Sequence, residues 1–429
     1  MGFRAGDAVE VHTDDGRIWR GLLVPAHELS GAHIVQLKLE SGYNVGVRIG
    51  PNTHILAAPG ATRARTGLPP PPVPSASAEG TGPTPPVTLL STGGTIASRV
   101  DYQTGGVRPV HDEREILEMF PELSAAGPVH IVPVFDKLSE EITPADWGTL
   151  AREVTRAFDG GAKGVVVAHG TDTLHYTASA LSFLLENLPG PVVVVGAQRS
   201  PDRPSSDGFG NLTAAVRVAR EPGLFEVVVV MHSGLSDHGW AIHRGTRVRK
   251  MHSSRRDAFR SRNGPPLGLL DDGQVRWNEP RAARPSAPLA MSRPLDPRGA
   301  LLWVYPGLDP ERASASIASL RGVVLAGTGL GHASSVHFPW IREALARGVV
   351  VAMTTQCLEG EVDPYVYATG RRLLELGVTY AEDLLPETGY VKLLWALGQS
   401  DDAKEVARLF LADRAGEFAH RRTIATDAP

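Results

Sequence analysis

The chain has 429 residues, 42% of them hydrophobic and 21% charged, which excludes wholesale disorder and leaves room for two or three domains. Its 43 Lys and Arg against 47 Asp and Glu give a net charge of -4, which excludes a globally basic nucleic-acid binder and leaves only local patches for such a role. One cysteine, Cys357, supports neither an intrachain disulfide nor a cysteine-based zinc site, and no apolar run approaches the roughly 18 residues of a membrane span. The expectation is a cytoplasmic protein with no membrane segment, no leader and no metal of its own.

The first sixty residues read as all-β. Asp7 to His12 alternates around Val9 and Val11, Asp15-Gly16 marks a hairpin, and Arg17 to Val24 is the return strand. His33 to Glu40 and Tyr43 to Ile49 repeat the pattern around a Ser41-Gly42 turn. Short strands at this spacing predict a small β-barrel over 1–60, a module that either binds RNA or protein or packs on a neighbour. A stretch rich in Pro, Ala, Ser, Thr and Gly follows, from Pro69 through Pro86, and predicts an extended linker over 61–86.

From Val87 onward the pattern is α/β. Val87 to Leu90, Gly164 to Ala168, Pro191 to Ala197 and Val227 to Met231 are continuous apolar, mostly β-branched runs, as expected of strands buried on both faces of a parallel sheet. Between the second and third, Leu174, Ala178, Leu181, Leu184, Leu185 and Leu188 recur at helical spacing, predicting a helix over Thr173 to Leu188 that Pro189-Gly190 ends. Residues 267–297, rich in Pro and Arg, read as a connection closing a first α/β unit over 87–297. A second unit over 298–429 has strand candidates at Leu301 to Tyr305, Gly322 to Ala326 and Gly348 to Met353, and a helix candidate at Phe338 to Arg347.

Ligands of open parallel sheets bind beyond the carboxyl ends of the strands. Those ends here carry Ser91-Thr92-Gly93-Gly94-Thr95, His169-Gly170-Thr171-Asp172-Thr173 and Gln198-Arg199-Ser200; the fourth leads to Arg244, Arg247, Arg249 and Lys250. A threonine hydroxyl needs a base within reach to act as a nucleophile, and a lysine serves only when its amine is neutral. Arg247 and Arg249 near Lys250 in sequence favour the neutral amine; Asp172 as a partner opposes it. Backbone N–H groups around Gly93 and Gly94 would serve an oxyanion. The competing reading makes Thr171 and Asp172 simple caps of the following helix and Lys250 a solvated surface lysine. The run Arg244, Arg247, Arg249, Lys250, Arg255, Arg256, Arg260 and Arg262, against the single acid Asp257, reads either as a solvated face or as a contact for RNA phosphates or an acidic partner.

At these residues the sequence resembles the type I L-asparaginase family. TGGTI (Thr92 to Ile96), HGTDT (His169 to Thr173) and VGAQR (Val195 to Arg199) match in order. The small N-terminal β domain, RSPDRPSSD (Arg199 to Asp207) and RGTRVRKMHSSRRDAF (Arg244 to Phe259) resemble one branch of it, the D subunits of archaeal-type glutamyl-tRNA(Gln) amidotransferases. The resemblance implies a two-domain asparaginase-like core with mostly parallel sheets behind the β domain. It implies Thr95 as the nucleophile, with Thr171, Asp172 and Lys250 as the second catalytic group. Tyr102 takes the place of a mobile-loop tyrosine, and Ser139 and Glu140, anchored only by LSEEITP (Leu138 to Pro144), take the place of residues that hold the α-carboxylate and α-amine. Thr143-Pro144 beside them also reads as a plain helix start.

The implied activity is glutamine hydrolysis that supplies ammonia for converting Glu-tRNA(Gln) to Gln-tRNA(Gln). The charged tRNA, ATP and Mg would belong to an E-type partner subunit, with a homodimer of this chain inside a heterotetramer and no cofactor in the chain itself. Stand-alone asparaginases place an asparagine in the second domain's glycine-rich loop. Here Gly327-Thr328-Gly329-Leu330-Gly331-His332 has leucine in that place, which speaks against the alternative that the intact motifs permit, a free-standing L-asparaginase with an appended β domain.

Overall fold

A computed structural model describes residues 3, 7–24, 33–39, 44–58, 85–93, 98–100, 107–109, 123, 127–199, 206–236 and 238–419. Thr95, Tyr102, Gly94 and nearly all of the proline linker lie outside them. Among the described residues no helix is long and apolar enough to cross a membrane.

The N-terminal strands are β1 (Ala8–His12), β2 (Ile18–Val24), β3 (Ile34–Leu39), β4 (Asn44–Arg48) and β5 (His54–Ala57). They form an antiparallel sheet of order β4-β3-β2-β1-β5. Val9, Val11, Leu37 and Val47 alternate onto its buried face and make a small core. The strand at His54–Ala57, not read from the sequence, lies along the outer side of β1. Closure into a barrel needs β4 to pair with β5, and that pair is not among the pairings of the described residues.

The larger sheet contains β6 (Val87–Ser91), β7 (Val129–Pro133), β8 (Gly164–Ala168), β9 (Val192–Val195), β10 (Val227–His232) and β11 (Trp240–Arg244). A separate hairpin joins β12 (Val248–Lys250) to β13 (Phe259–Ser261). Two further strands, β14 (Gly268–Asp271) and β15 (Gln274–Trp277), complete the larger sheet in the order β15-β14-β11-β10-β9-β8-β6-β7. The block from β7 to β10 is parallel, and the β11, β14, β15 side is antiparallel. Residues 267–297 are thus not merely a connection: Asp272-Gly273, both at positive φ, turn a hairpin that extends the sheet.

The valine runs show why the centre is buried on both sides. Val165, Val167, Val192, Val194, Val227, Val229 and Met231 face one core, and Val166, Ala168, Val193, Val195, Val228 and Val230 face the other. On the first face lie α1 (Pro144–Asp159) and α2 (Leu174–Leu184); on the second lies α3 (Gly208–Val218). The α2 helix ends at Leu184, four residues before the expected Leu188, because Leu185–Glu186 turns extended and pairs with Ala290–Met291. Thr143 and Asp146 form a capping box at the start of α1, with the Asp146 carboxylate accepting from the Thr143 N–H at 2.8 Å and its hydroxyl at 2.7 Å.

The second unit is a parallel sheet, β16 (Gly299–Trp303), β17 (Gly322–Gly327), β18 (Val350–Thr355) and β19 (Thr379–Tyr380), in chain order. Its helices are α4 (Pro310–Ser316), α5 (Phe338–Ala346), α6 (Ala368–Leu376), α7 (Pro386–Gln399) and α8 (Ala403–Leu411). Val324, Val350 and Ala352 of this sheet, Leu393, Leu394 and Leu397 of α7, and the valine face of the larger sheet share one core, so α7 joins the two sheets. Within it sits Lys392, whose ammonium lies 2.5 Å from the Glu417 carboxylate, donates to the Ala412 carbonyl at 2.7 Å and stands 4.5 Å from the Phe418 ring centre. Both side chains are fully buried. Burial opposes charge on each, and their mutual attraction offsets that cost. Lys392→Met strands the Glu417 carboxyl in the core; we expect about 3–5 kcal/mol of lost stability by denaturant unfolding, with less loss in the Lys392→Met/Glu417→Leu pair.

Candidate functional site

The register Ser91↔Ala168↔Val195 aligns the carboxyl ends of β6, β8 and β9. The residues immediately after them are stitched together: the Thr92 N–H and hydroxyl both donate to the Ala168 carbonyl, at 3.1 and 2.9 Å, and the His169 N–H donates to Val195 at 2.8 Å. Gly93 sits at φ +90°, where a side chain is strained, and a Cβ there would lie 2.7 Å from Asp136 Oδ1. Gly170 packs equally closely on Ser139, whose Cβ would be 2.9 Å from an added one. Ser139 is buried, and its carbonyl accepts from the Thr173 hydroxyl at 2.6 Å. The structure therefore brings Ser139 against the His169–Thr173 segment. Glu140, beside it in a short 3-10 turn, is exposed, and no hydrogen bond links it to that segment among the described residues.

His169 fixes the loop from beneath. Its Nδ1–H donates to the Gly170 carbonyl at 2.6 Å, and its Nε2 accepts from the Thr177 hydroxyl at 2.8 Å, which in turn accepts from Trp147 Nε1–H at 3.0 Å. Complete burial holds its pKa down at about 4, so the ring is neutral, as this donor–acceptor chain requires.

Lys250, at the end of β12, reaches this loop across 79 residues of sequence. Its ammonium donates to Thr171 Oγ1 at 2.8 Å and to Asp172 Oδ1 at 2.6 Å. The lysine side chain is 8% exposed, and that of Asp172 is 67% exposed. The surface-lysine reading fails on that burial. The capping reading fails as well: α2 starts at Leu174 with Thr173 as its N-cap residue, and the Thr173 hydroxyl bonds Ser139 instead of the helix. Thr171, Asp172 and Lys250 form one hydrogen-bonded group; Ser139 abuts it, Glu140 does not contact it, and Thr95 and Tyr102 lie outside the described residues.

Much of the arginine run is tied to the fold, while the Arg255 and Arg260 side chains remain 46% exposed. Arg244 pairs with Glu226 at 2.7 Å, Arg247 donates to the carbonyls of Arg262 and Asn263, and Arg249 pairs with Glu387 at 3.0 Å. Arg255 and Arg260 both hold Asp257, and Arg262 pairs with Glu359. Asp257 lies within the run, but Glu226, Glu359 and Glu387 come from distant segments, which is why a local count of charges missed them. Leu330 sits in its glycine-rich loop, where its carbonyl accepts from the Asp363 N–H at 3.0 Å.

Other supporting residues had no role read from the sequence. Asp207 is buried and accepts from the Gln198 N–H at 3.1 Å and the Arg199 N–H at 2.9 Å, shaping the loop after β9. Asn211 donates to the Gly196 carbonyl at 2.9 Å and meets His232 Nδ1 at 2.5 Å. Asp207 ends the RSPDRPSSD stretch, but nothing in that stretch tells that its carboxylate accepts from the backbone after β9. Lys250 also lines an open pocket of about 350 Å³, together with His175, Tyr176, Arg249 and Glu387.

His169, His175 and His243 all have pKa values depressed by burial, to about 4, 3 and 3. Each therefore binds its proton more readily once unfolded, so their contribution is complete above about pH 6.5 and is lost as pH falls from there toward 4. Urea unfolding at pH 7.5 and pH 5 should show a clear drop in stability at the lower pH, and His169→Gln should flatten that dependence.

Comparison with known proteins follows this geometry. Residues 86–283 match the family described as Asparaginase, N-terminal, residues 300–410 the Glutaminase/Asparaginase C-terminal domain, and residues 3–55 the GatD N-terminal domain. The D subunit of the glutamyl-tRNA(Gln) amidotransferase from Saccharolobus solfataricus is 41% identical, over 99% of this chain and 95% of that protein. Its counterpart of the same description from Pyrococcus furiosus is 43% identical, over 97% of this chain and 95% of its own. Among solved structures, the thermostable L-asparaginase from Thermococcus kodakarensis superposes with a TM-score of 0.71 at 34% identity, covering 78% of this chain and 99% of its own.

Proposed function

The chain belongs to the family of glutamyl-tRNA(Gln) amidotransferase D subunits, and on that premise we propose that it hydrolyses L-glutamine to feed ammonia to a partner. The observation that carries the reading is the Lys250 ammonium held by Thr171 at 2.8 Å and Asp172 at 2.6 Å at the carboxyl edge of a parallel sheet. Thr95 Oγ attacks the side-chain amide carbon, the C–N bond breaks with a proton delivered to nitrogen, and ammonia leaves. Water then attacks the resulting ester, and glutamate leaves as the threonine hydroxyl is restored.

The bond from Lys250 to Thr171 defines two states. With the ammonium donating, the Thr171 hydroxyl keeps its own hydrogen to donate toward a reacting atom. With a neutral amine the bond reverses, and Lys250 accepts that hydrogen as Thr171 activates water or relays a proton. Asp172 fixes the lysine in line with Thr171 in both. In this reading Ser139, buried against Gly170, holds the α-substituents of the amino acid together with Glu140, and Tyr102 takes the role of the family's tyrosine near the nucleophile.

The partner in this reading is an E-type subunit that binds Glu-tRNA(Gln) and uses ATP with Mg²⁺ to activate the γ-carboxylate; two copies of this chain sit in a heterotetramer in the cytoplasm. A second reading, a free-standing L-asparaginase, draws support from the likeness to the Thermococcus kodakarensis enzyme. Leu330 weighs against it, because its side chain offers no hydrogen bond to a substrate amine.

Thr171→Ala and Lys250→Ala should each lower glutamine-dependent formation of Gln-tRNA(Gln) by about 10²-fold or more, while amidation with supplied ammonium stays intact. Folded variants that lose both activities, or that keep the glutamine-dependent one, overturn the assignment. Fast ammonia release from L-asparagine by the chain alone favours the second reading.

A further inference from the structure

The ladder between β9 and β10 pairs Val192, Val193 and Val194 with Val227, Val228 and Val229 and stops there, although β10 runs on to His232. The two strands part where β9 reaches the edge that carries the site. Asn211, near the start of α3 and fully buried, bridges the parted ends. Its Nδ2 donates to the Gly196 carbonyl at 2.9 Å and to Asp207 Oδ2 at 3.1 Å, and its Oδ1 accepts from His232 Nδ1–H at 2.5 Å. Both amide hydrogens and the amide oxygen are thereby used, which allows one orientation of the side chain.

Asp207 completes the grip. An aspartate at this position before a helix ordinarily bonds the helix's own N–H groups, but Asp207 makes no such bond. It reaches back instead to the N–H groups of Gln198 at 3.1 Å and Arg199 at 2.9 Å. Asp207, Asn211 and His232 are 1%, 0% and 2% exposed, so water does not compete for these bonds. Together they hold the backbone of Gly196, Gln198 and Arg199 from behind. On its other side Gly196 meets the site: an added Cβ there would lie 2.8 Å from Thr171 Cγ2, 2.8 Å from the His169 carbonyl oxygen and 3.1 Å from Leu174 Cδ1. Only glycine permits so close an approach. The Thr171 methyl thus packs on Gly196 while its hydroxyl bonds Lys250 at 2.8 Å.

We propose that Asn211, clamped between Asp207 and His232, is a positioning residue for Thr171. By holding the Gly196 carbonyl it fixes the surface that the Thr171 methyl meets. Methyl and hydroxyl share one Cβ, so that surface also sets where the hydroxyl points. The Gly196 carbonyl lies beyond the last residues paired between β9 and β10, and Asn211 takes the place of the missing ladder bond. Without it the segment relaxes and the hydroxyl turns from Lys250. The effect on turnover rests on the glutaminase reading; the effect on geometry does not.

The test begins with His232→Phe, which keeps a ring beside Trp240, 5.3 Å away between ring centres, and removes the N–H that holds Asn211. In a crystal structure of this variant the distance from Lys250 Nζ to Thr171 Oγ1, 2.8 Å in the wild type, should exceed hydrogen-bonding range. With the partner subunit and charged tRNA present, kcat for ammonia release from L-glutamine should fall about tenfold to a hundredfold with KM little changed, because the displaced group acts in the reacting step. His232→Asn, whose amide N–H stands in for Nδ1–H, should restore both the distance and the rate. Gly196→Ala, which presses a methyl onto Thr171 and leaves the three side chains intact, should show the same kinetic pattern. An unmoved Thr171 in folded His232→Phe, a wild-type kcat in that variant, or no recovery in His232→Asn overturns the proposal. If His232→Phe does not fold, Asn211→Asp, which keeps the shape and removes both donated hydrogens, carries the same comparison. A wild type that releases no ammonia from glutamine with its partner present removes the proposed function, and the crystallographic distance still decides whether Asn211 places Thr171.

Discussion

Burial of both faces of the central valine strands governs the rest of this structure. Alternate residues of β8, β9 and β10 enter opposite cores, so no polar side chain has a place along their length. Chemistry is confined to where the strands stop. Parallel register then gathers Thr92, His169 and Gly196 at one edge, and the loops that follow need only short reaches to meet. The neutral His169, tied to Thr177 and Trp147 on one side and Gly170 on the other, converts that edge into a fixed backbone shape.

The charged groups around the site are each held in turn: Lys250 by Thr171 and Asp172, Arg249 by Glu387, Arg247 by two carbonyls, Asp257 by two arginines. The same pairing makes internal ties of Arg244, Arg249 and Arg262 once the fold supplies Glu226, Glu387 and Glu359, while Arg255 and Arg260 share Asp257 and stay half exposed.

Parts of this were legible in the sequence because the physics is local. Gly164–Ala168 was readable residue for residue, since an unbroken β-branched run has few other fates. The strand at Val129–Pro133 was not, because His130 and a terminal proline hide its period. The hairpin around Asp272-Gly273 carried a proper turn signal, masked by the Pro and Arg around it. For the site, spacing left Thr171 and Asp172 open between cap and catalyst, and only the family resemblance joined them to Lys250. Glu387 gave no sign: an acid after a proline at a helix start is an ordinary first-turn residue. Its partner became visible only when the fold placed α7 beside β12.

The clasp between Lys392 and Glu417 has a consequence for how the protein is made. The valine face of the first sheet, synthesised early, shares its core with α7 and with Phe410 and Phe418 near the end of the described chain. Until Glu417 has left the ribosome, the amine of Lys392 has no counter-charge and the apolar face beneath it has no lid. The edge that carries Thr171, Asp172 and Lys250 is present once Lys250 has emerged, yet the core on one face of its strands is filled only with the last few described residues. The N-terminal strands, with a small core of their own, do not share that dependence.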